Sequence, residues 1–556
     1  MPRSAAPPPR CRSDEIAALP LVVGVALLAS AAGFALGQPV SALALASGAT
    51  AAVAVALAER RRVRAGGVAM ALAGCAAVVL AALWIAPLRY DTSWDGQSYH
   101  QPAVIALARG WNPVGAPLAP SAFTTAPWVN TMAKGVWVVE ASLYRLTHEL
   151  EAAKAIHLIL LAAAFLCALS AFMSIPRVGK AVAVACAALA ALDPIALTQA
   201  STFYVDGCVA SAMTALVACA YLAVERRDRL AMAGMVAATL LLVNAKLTGI
   251  PYAGVAWALA CATALVRSGM RHALRLAVAG AFALVVSVLG PGWNPYAANT
   301  IRYGHPFYPA AGPRATDFVA GSRPAAFAPM NRLERLARAT FAVTSNHASA
   351  GARLKLPLTM LMEEGPPSAG CETRLGGFGP LFSGALVLSA LAVAFATRRA
   401  ALASTFSAAG ILLSVLATAE GWWARLAPQL WLVPIVLALA PLASPARRGA
   451  RLLATLTLVA LAADLGVVAV NDYNRGGKTQ RALRSQLAAL AAAGETIDVR
   501  FQQFEAVGVR LSAAGVAWRA VEKLPCASPL PLAGSFRVEL CPPGDGVLGD
   551  ALEHAR

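Results

Sequence analysis

Charge is what this sequence lacks. Asp, Glu, Lys and Arg make up 13% of its 556 residues, against about 25% in soluble domains. A chain so poor in charge and 58% hydrophobic cannot cover a folded surface with solvated groups. An ordinary soluble enzyme is excluded, and so is a disordered chain. The 10 cysteines include no C-x-x-C pair, so neither a zinc nor a redox motif is offered. Most lie inside apolar runs and read as small core residues. No P-loop, no G-x-G-x-x-G after a strand, no H-E-x-x-H and no G-x-S-x-G elbow occurs. Acids are scarcer than bases, 28 against 46, for a net charge of +18. That excess could serve nucleic acid, but it is concentrated in short segments between apolar runs. This is the positive-inside pattern, and no nucleic-acid partner is expected.

What is present is a series of apolar runs of about 17–25 residues, the length that crosses a bilayer. They are 17–37, 39–58, 66–87, 155–175, 181–198, 207–224, 230–245, 249–266, 275–290, 377–396, 402–419, 426–443 and 452–470. The expected fold is an all-α polytopic membrane protein of about 13 transmembrane helices over 1–470. Basic loops follow the even-numbered runs, at Arg60–Arg64, Arg177 to Lys180, Arg226–Arg229, Arg267 to Arg275, Arg398–Arg399 and Arg447–Arg451. All then face one side, with the N-terminus, and that side is cytoplasmic. The Ala, Arg, Gly and Pro usage suggests a bacterial source, hence a cytoplasmic (inner) membrane. Two long outer loops, 88–154 and 291–376, face the other side. So does a small C-terminal α/β domain, 471–556, with a helix at 478–493 and strands near 496–501, 515–519 and 535–540. Cys526 and Cys541 flank the last strand, on the oxidising side where a disulfide can persist. No internal repeat of fixed period is visible.

Candidate chemistry collects in the outer segments. RYDTSWDGQSYHQPAVIALARGWNP brings Arg89, Asp91, Asp95, Tyr99 and His100 close to the end of a span. Ionisable groups beside a bilayer need a partner or a task, and a carboxylate in a partly dehydrated cleft suits general-base work. Residues 98–109 read as a short amphipathic helix on the membrane surface. Asp206 stands at the start of a span and serves either as a helix cap or as a site residue. Asp193-Pro194 reads as a structural turn. Lys246 is a cation on the outer side, where positive charge is scarce, suited to a phosphate or to snorkelling. Arg302, Tyr303 and His305 lie in an aromatic-rich loop that fits either a sugar face or an interface belt. Residues 331–340 read as an interfacial basic helix. Trp422 and Trp423 read as interface anchors, and Arg425 beside them as a span-end charge or a phosphate ligand.

Four of these segments resemble GT-C glycosyltransferases, polytopic enzymes that use polyprenyl-phosphate-linked sugars, such as protein O-mannosyltransferases and aminoarabinose transferases. DGQSYHQP is similar to the family's D-x-x-x-Y-H-L-P, with Gln101 in place of Leu and three runs ahead of it where one is usual. STFYVDGCVAS resembles the segment carrying the family's second acid. NAKLTGIPYAG is similar to N-x-K-x-T-G, and YGHPFYP to Y-G-N-P-F-Y-P with His305 for Asn. The resemblance implies inverting transfer of a sugar from a polyprenyl-phosphate donor to an extracytoplasmic acceptor hydroxyl. Asp95 would be the catalytic base and Asp91 the second candidate. His100, Tyr99, Asp206, Lys246, Arg302, Tyr303 and His305 would bind substrate. Some members hold a divalent cation, Mg or Mn, for which Asp95, Asp206 and His100 are the candidates. Two other classes compete: a transporter or flippase for a lipid-linked glycan, and a non-catalytic envelope assembly protein.

Overall fold

An apolar segment in lipid must satisfy its backbone polar groups internally, and a helix does so locally. The computed structural model describes residues 18–41, 65–347, 351–368 and 370–542, with 43, 47, 48 and 50. It is 66% helical. Among the described residues, six helices are long and apolar enough to cross a membrane: Leu150–Met173, Asp206–Glu225, Gly249–Ser268, Met270–Leu289, Arg398–Leu416 and Arg448–Ala493. Six shorter apolar helices of 10–17 residues lie at Val23–Ala35, Leu72–Leu88, Lys180–Ala191, Arg229–Ala245, Phe382–Ala394 and Pro428–Leu442. Thirteen full-length spans are therefore not confirmed among the described residues. The run at 39–58 lies largely outside the described residues. The run at 181–198 is cut in two, because the helix ends at Ala191 and Asp193 caps a new one, its Oδ1 accepting from the Ile195 N–H at 2.7 Å.

The helices that position the site are α1 (Ala155–Met173), α2 (Asp206–Glu225), α3 (Arg229–Ala245), α4 (Gly249–Ser268) and α5 (Met270–Leu289). Next come α6 (Phe382–Ala394), α7 (Arg398–Leu416), α8 (Leu432–Leu442) and α9 (Arg448–Ala493). Helix α2 is central and buried along most of its length. Its sequence, DGCVASAMTALVACAYLAVE, is rich in Ala and adds Gly207, Cys208, Ser211 and Cys219, and such small residues let backbones approach closely where helices pack in lipid. It packs on α1 and α3 in one cluster, while α6 to α9 form a second cluster with Trp431 at its centre. Helix α5 is peripheral. Most of it is uncovered, and Leu274, Val278, Phe282, Val285 and Leu289 are exposed.

Two expectations need correction. The stretch 98–109, expected as a helix on the membrane surface, forms the helix Gln101–Ala108, which is buried in the first cluster, with Ala103, Val104 and Leu107 wholly covered. Its apolar face packs on protein. Trp422 and Trp423 are buried as well, stacked on each other at 5.8 Å. Helix α9 runs unbroken for 46 residues from Arg448, across 470/471, and ends beside the C-terminal sheet. The helix at Arg332–Thr340 is present, with a capping box between Asn331 and Glu334.

The C-terminal sheet comprises β1 (Ile497–Arg500), β2 (Trp518–Ala520), β3 (Leu530–Pro531) and β4 (Glu539–Leu540), in the order β2-β1-β4-β3. β1 and β2 are parallel, and the other pairs antiparallel. Cys526 and Cys541 form the anticipated disulfide. The sheet and the end of α9 share an apolar core that takes in Tyr90 and Trp94 of the first long loop.

Candidate functional site

The N-terminal end of α2 meets the turn between α3 and α4. Asp206 is the first residue of α2 but caps nothing, and no side-chain cap bond forms there. Its carboxylate instead pairs with Lys246 and Arg425. The Lys246 ammonium bonds Oδ1, and the Arg425 Nε stands 3.0 Å from Oδ2 in an ion pair. Gln199 Nε2 donates to Oδ2 at 3.2 Å, while Gln199 Oε1 accepts from the Gly207 N–H. Lys246 is extended, in a turn that needs Gly249. A Cβ there would lie 2.0 Å from the Leu242 carbonyl oxygen.

Arg425 is the hub. Its Nη2 donates to Asp95 Oδ2 at 2.8 Å and its Nη1 to Glu372 Oε1 at 3.0 Å, with the side chain only 10% exposed. The guanidinium sits over the rings of Tyr204, at 4.7 Å, and Trp423, at 4.9 Å, geometry in which ring quadrupoles favour a cation. Burial opposes its charge, but the carboxylates of Asp206 and Asp95 outweigh burial and hold it firmly protonated. The Tyr204 hydroxyl donates to Glu372 and accepts from the Asp95 N–H at 3.2 Å. Trp423 Nε1 donates to the Thr373 carbonyl at 3.1 Å, and the Tyr252 hydroxyl donates to the Leu426 carbonyl. These two bonds pin the segments that carry Glu372 and Arg425. Burial, and then the charge of Asp95, raise the Glu372 carboxyl above its ordinary range.

Other sequence candidates take different places. Asp91 is fully buried, and its oxygens accept from the backbone N–H groups of Ser93 at 2.7 Å and Phe203 at 2.9 Å. Gly96 packs so tightly on it that a Cβ would fall 1.9 Å from Oδ2. Asp91 thus ties the Asp95 loop to the Phe203-Tyr204 segment, with both oxygens engaged on backbone N–H groups. His100 Nδ1 accepts from Trp137 Nε1 at 2.7 Å. Burial pushes the imidazole well below its ordinary pKa, so it is neutral. Tyr99 lies against His100, ring centroids 4.2 Å apart. Burial, and then the charge of Asp95, keep its hydroxyl protonated.

The aromatic loop stands apart. Tyr303 stacks on Tyr308 at 3.9 Å, His305 Nδ1 accepts from the Phe307 N–H, and Arg302 is exposed. Among the described residues, no hydrogen bond, ion pair or ring contact joins Arg302, Tyr303 or His305 to the Arg425 cluster. Nor do Asp95, Asp206 and His100 form a metal-ligand set, since no group of three or more such donors suited to a metal occurs among the described residues. Asp206 has its oxygens on Lys246 and Arg425, and His100 has Nδ1 on Trp137.

Sequence reading missed Glu372. It sits in CETR, a stretch without periodicity, and is held at the site by tertiary contacts: the isolated bridge between Ser345 and Leu375, the bond from Trp423 to the Thr373 carbonyl and the bond from Gln199 Nε2 to the Cys371 carbonyl. No local signal marks it. No protein-family model, curated protein or solved structure matches the chain.

Proposed function

We propose that the protein is a membrane glycosyltransferase that moves a sugar from a polyprenyl-phosphate donor to an extracytoplasmic acceptor hydroxyl, with inversion. One observation carries the reading. Asp95, Asp206 and Lys246, from three separate segments resembling GT-C motifs, meet around one buried arginine at helix ends. In this scheme Asp95 takes the proton of the acceptor hydroxyl as its oxygen attacks the anomeric carbon. The bond from that carbon to the phosphate oxygen breaks, and polyprenyl phosphate leaves with the electron pair. Arg425 and Lys246 stabilise the charge left on that phosphate. Both cations are held by carboxylates here, so a donor phosphate would enter by competing with those acids. Asp206 positions the two cations. No step is assigned to a metal or to the 302–308 loop.

The carrier reading has less support. A transporter places its working charges near the bilayer midplane, whereas the charges that converge here sit at helix ends. The reading is tested by incubating purified protein with a panel of polyprenyl-phosphate sugars and envelope extract, and measuring released polyprenyl phosphate. Release that depends on acceptor supports it. No release with any donor, alongside translocation of a lipid-linked glycan in liposomes, overturns it.

A further inference from the structure

The other end of the same helices carries a second feature. Helix α2 runs from Asp206 for 20 residues to Glu225, which at 1.5 Å per residue is about 30 Å, the thickness of a hydrocarbon core. Helix α3 returns from Arg229 to Ala245, α4 leads away again, and α5 starts at Met270. Between the α2–α3 and α4–α5 turns, at the end remote from Arg425, is a cavity of about 360 Å³.

Arg227, Arg229, Arg271 and Arg275 line it, with Asp228 as its one acid. The Asp228 Oδ1 is already used, accepting from the N–H groups of Leu230 and Ala231. Glu225, nearby in sequence, pairs with Arg267. Among the described residues the four lining arginines make no ion pair and no side-chain hydrogen bond. All four are exposed, and four guanidiniums around one opening make a strongly positive surface that attracts an anion.

The wall beside this cavity says what kind of anion. Arg271 and Arg275 open the same face of α5 on which Leu274, Val278, Phe282, Val285 and Leu289 are exposed. At 100° per residue, these seven positions fall within about 100° of arc. A charged pocket thus continues into an apolar stripe that runs the length of the helix. A free phosphate uses only the first part. A lipid with a phosphate head uses both, head on the arginines and acyl chain along α5.

We propose that this cavity binds an anionic phospholipid in the leaflet opposite the Arg425 site. The binding is independent of the transferase reading. Delipidated full-length protein in detergent would be titrated with phosphatidylglycerol or phosphatidylcholine, and bound lipid counted by native mass spectrometry. The expected result is at least tenfold tighter binding of phosphatidylglycerol. R271Q/R275Q should weaken it roughly 25-fold, at about fivefold per arginine. Because removing basic residues can disturb insertion, S268W is the second variant. Ser268 also lines the cavity, so a tryptophan there fills it with every arginine kept, and phosphatidylglycerol binding should again fall at least tenfold. Equal binding of the two lipids overturns the proposal, as does undiminished binding by S268W. Stabilisation by millimolar inorganic phosphate without retained lipid also overturns it, leaving a phosphate site in its place.

Discussion

Removing the Arg425 side chain is the most informative structural perturbation. The guanidinium serves Asp95, Asp206 and Glu372 at 2.8, 3.0 and 3.0 Å. Arg425→Ala leaves Asp206 with Lys246 but strips Asp95 and Glu372 of their shared cation. Breaking one side of a buried ion pair costs about 3–5 kcal/mol, and loss of packing on Tyr204 and Trp423 adds about 1 kcal/mol. Arg425→Lys should recover only part of this, because an ammonium cannot present a planar fork to three carboxylates. The decisive comparison is a double-mutant cycle. Asp95→Asn removes one of the charges that Arg425 neutralises, so Arg425→Ala/Asp95→Asn should be less destabilised than the sum of the singles. The expected coupling is about 1–3 kcal/mol. The assay is thermal or denaturant unfolding in detergent, followed by tryptophan fluorescence. Additive effects, or an Arg425→Ala protein as stable as wild type, would refute the hub.

Further outcomes follow from neighbouring contacts. Tyr204→Phe removes the hydroxyl shared by Glu372 and the Asp95 N–H and should cost about 1–3 kcal/mol in the same assay. Gly96→Ala forces a Cβ against Asp91 and should cost at least about 1–3 kcal/mol. A fully stable protein would show that the loop can shift freely. Removing the disulfide, which closes a separation of 15 residues, should destabilise the C-terminal domain by about 3 kcal/mol. Limited proteolysis of Cys526→Ser/Cys541→Ser would detect this as faster cleavage after 497. The raised Glu372 carboxyl means that the folded protein holds this proton more tightly than the unfolded chain does. Its contribution is complete below the unfolded value near 4.5 and declines as pH rises through the folded value. The stability of wild type relative to Glu372→Gln should therefore fall with rising pH, and a pH-independent difference would contradict this.

Helical class was legible because apolar runs bounded by charge and Pro mark helices without any alignment. Where the runs failed as full spans, the reason is local, as at Asp193-Pro194. The unbroken α9 was not legible. NDYNRGG, with Gly476 and Gly477 together, reads as a terminator, yet tertiary bonds hold the helix through it. Arg89 Nη1 pairs with Asp472, and Gln480 exchanges hydrogen bonds with the Tyr90 backbone. Asp95, Asp206 and Lys246 were flagged singly by charge at span ends, and grouped by resemblance. Arg425, at 330 residues from Asp95, was one of several span-end charges. Its bond to Asp95 is a tertiary fact with no local signature. The same holds for Glu372, and for Asp91, the second candidate base in sequence, which differs from Asp95 in being fully buried and bonded to the Ser93 and Phe203 N–H groups.

Asp95 as general base is the central claim, and Asp95→Asn tests it most directly. The substitution keeps the shape of the side chain and removes its ability to accept a proton. Wild type and variant, matched for expression and elution, would be compared for acceptor-dependent release of polyprenyl phosphate. A positioned base contributes about 10²–10⁴ in rate. The account predicts a loss of that size, with donor binding retained. Turnover unchanged in a well-folded Asp95→Asn would contradict it.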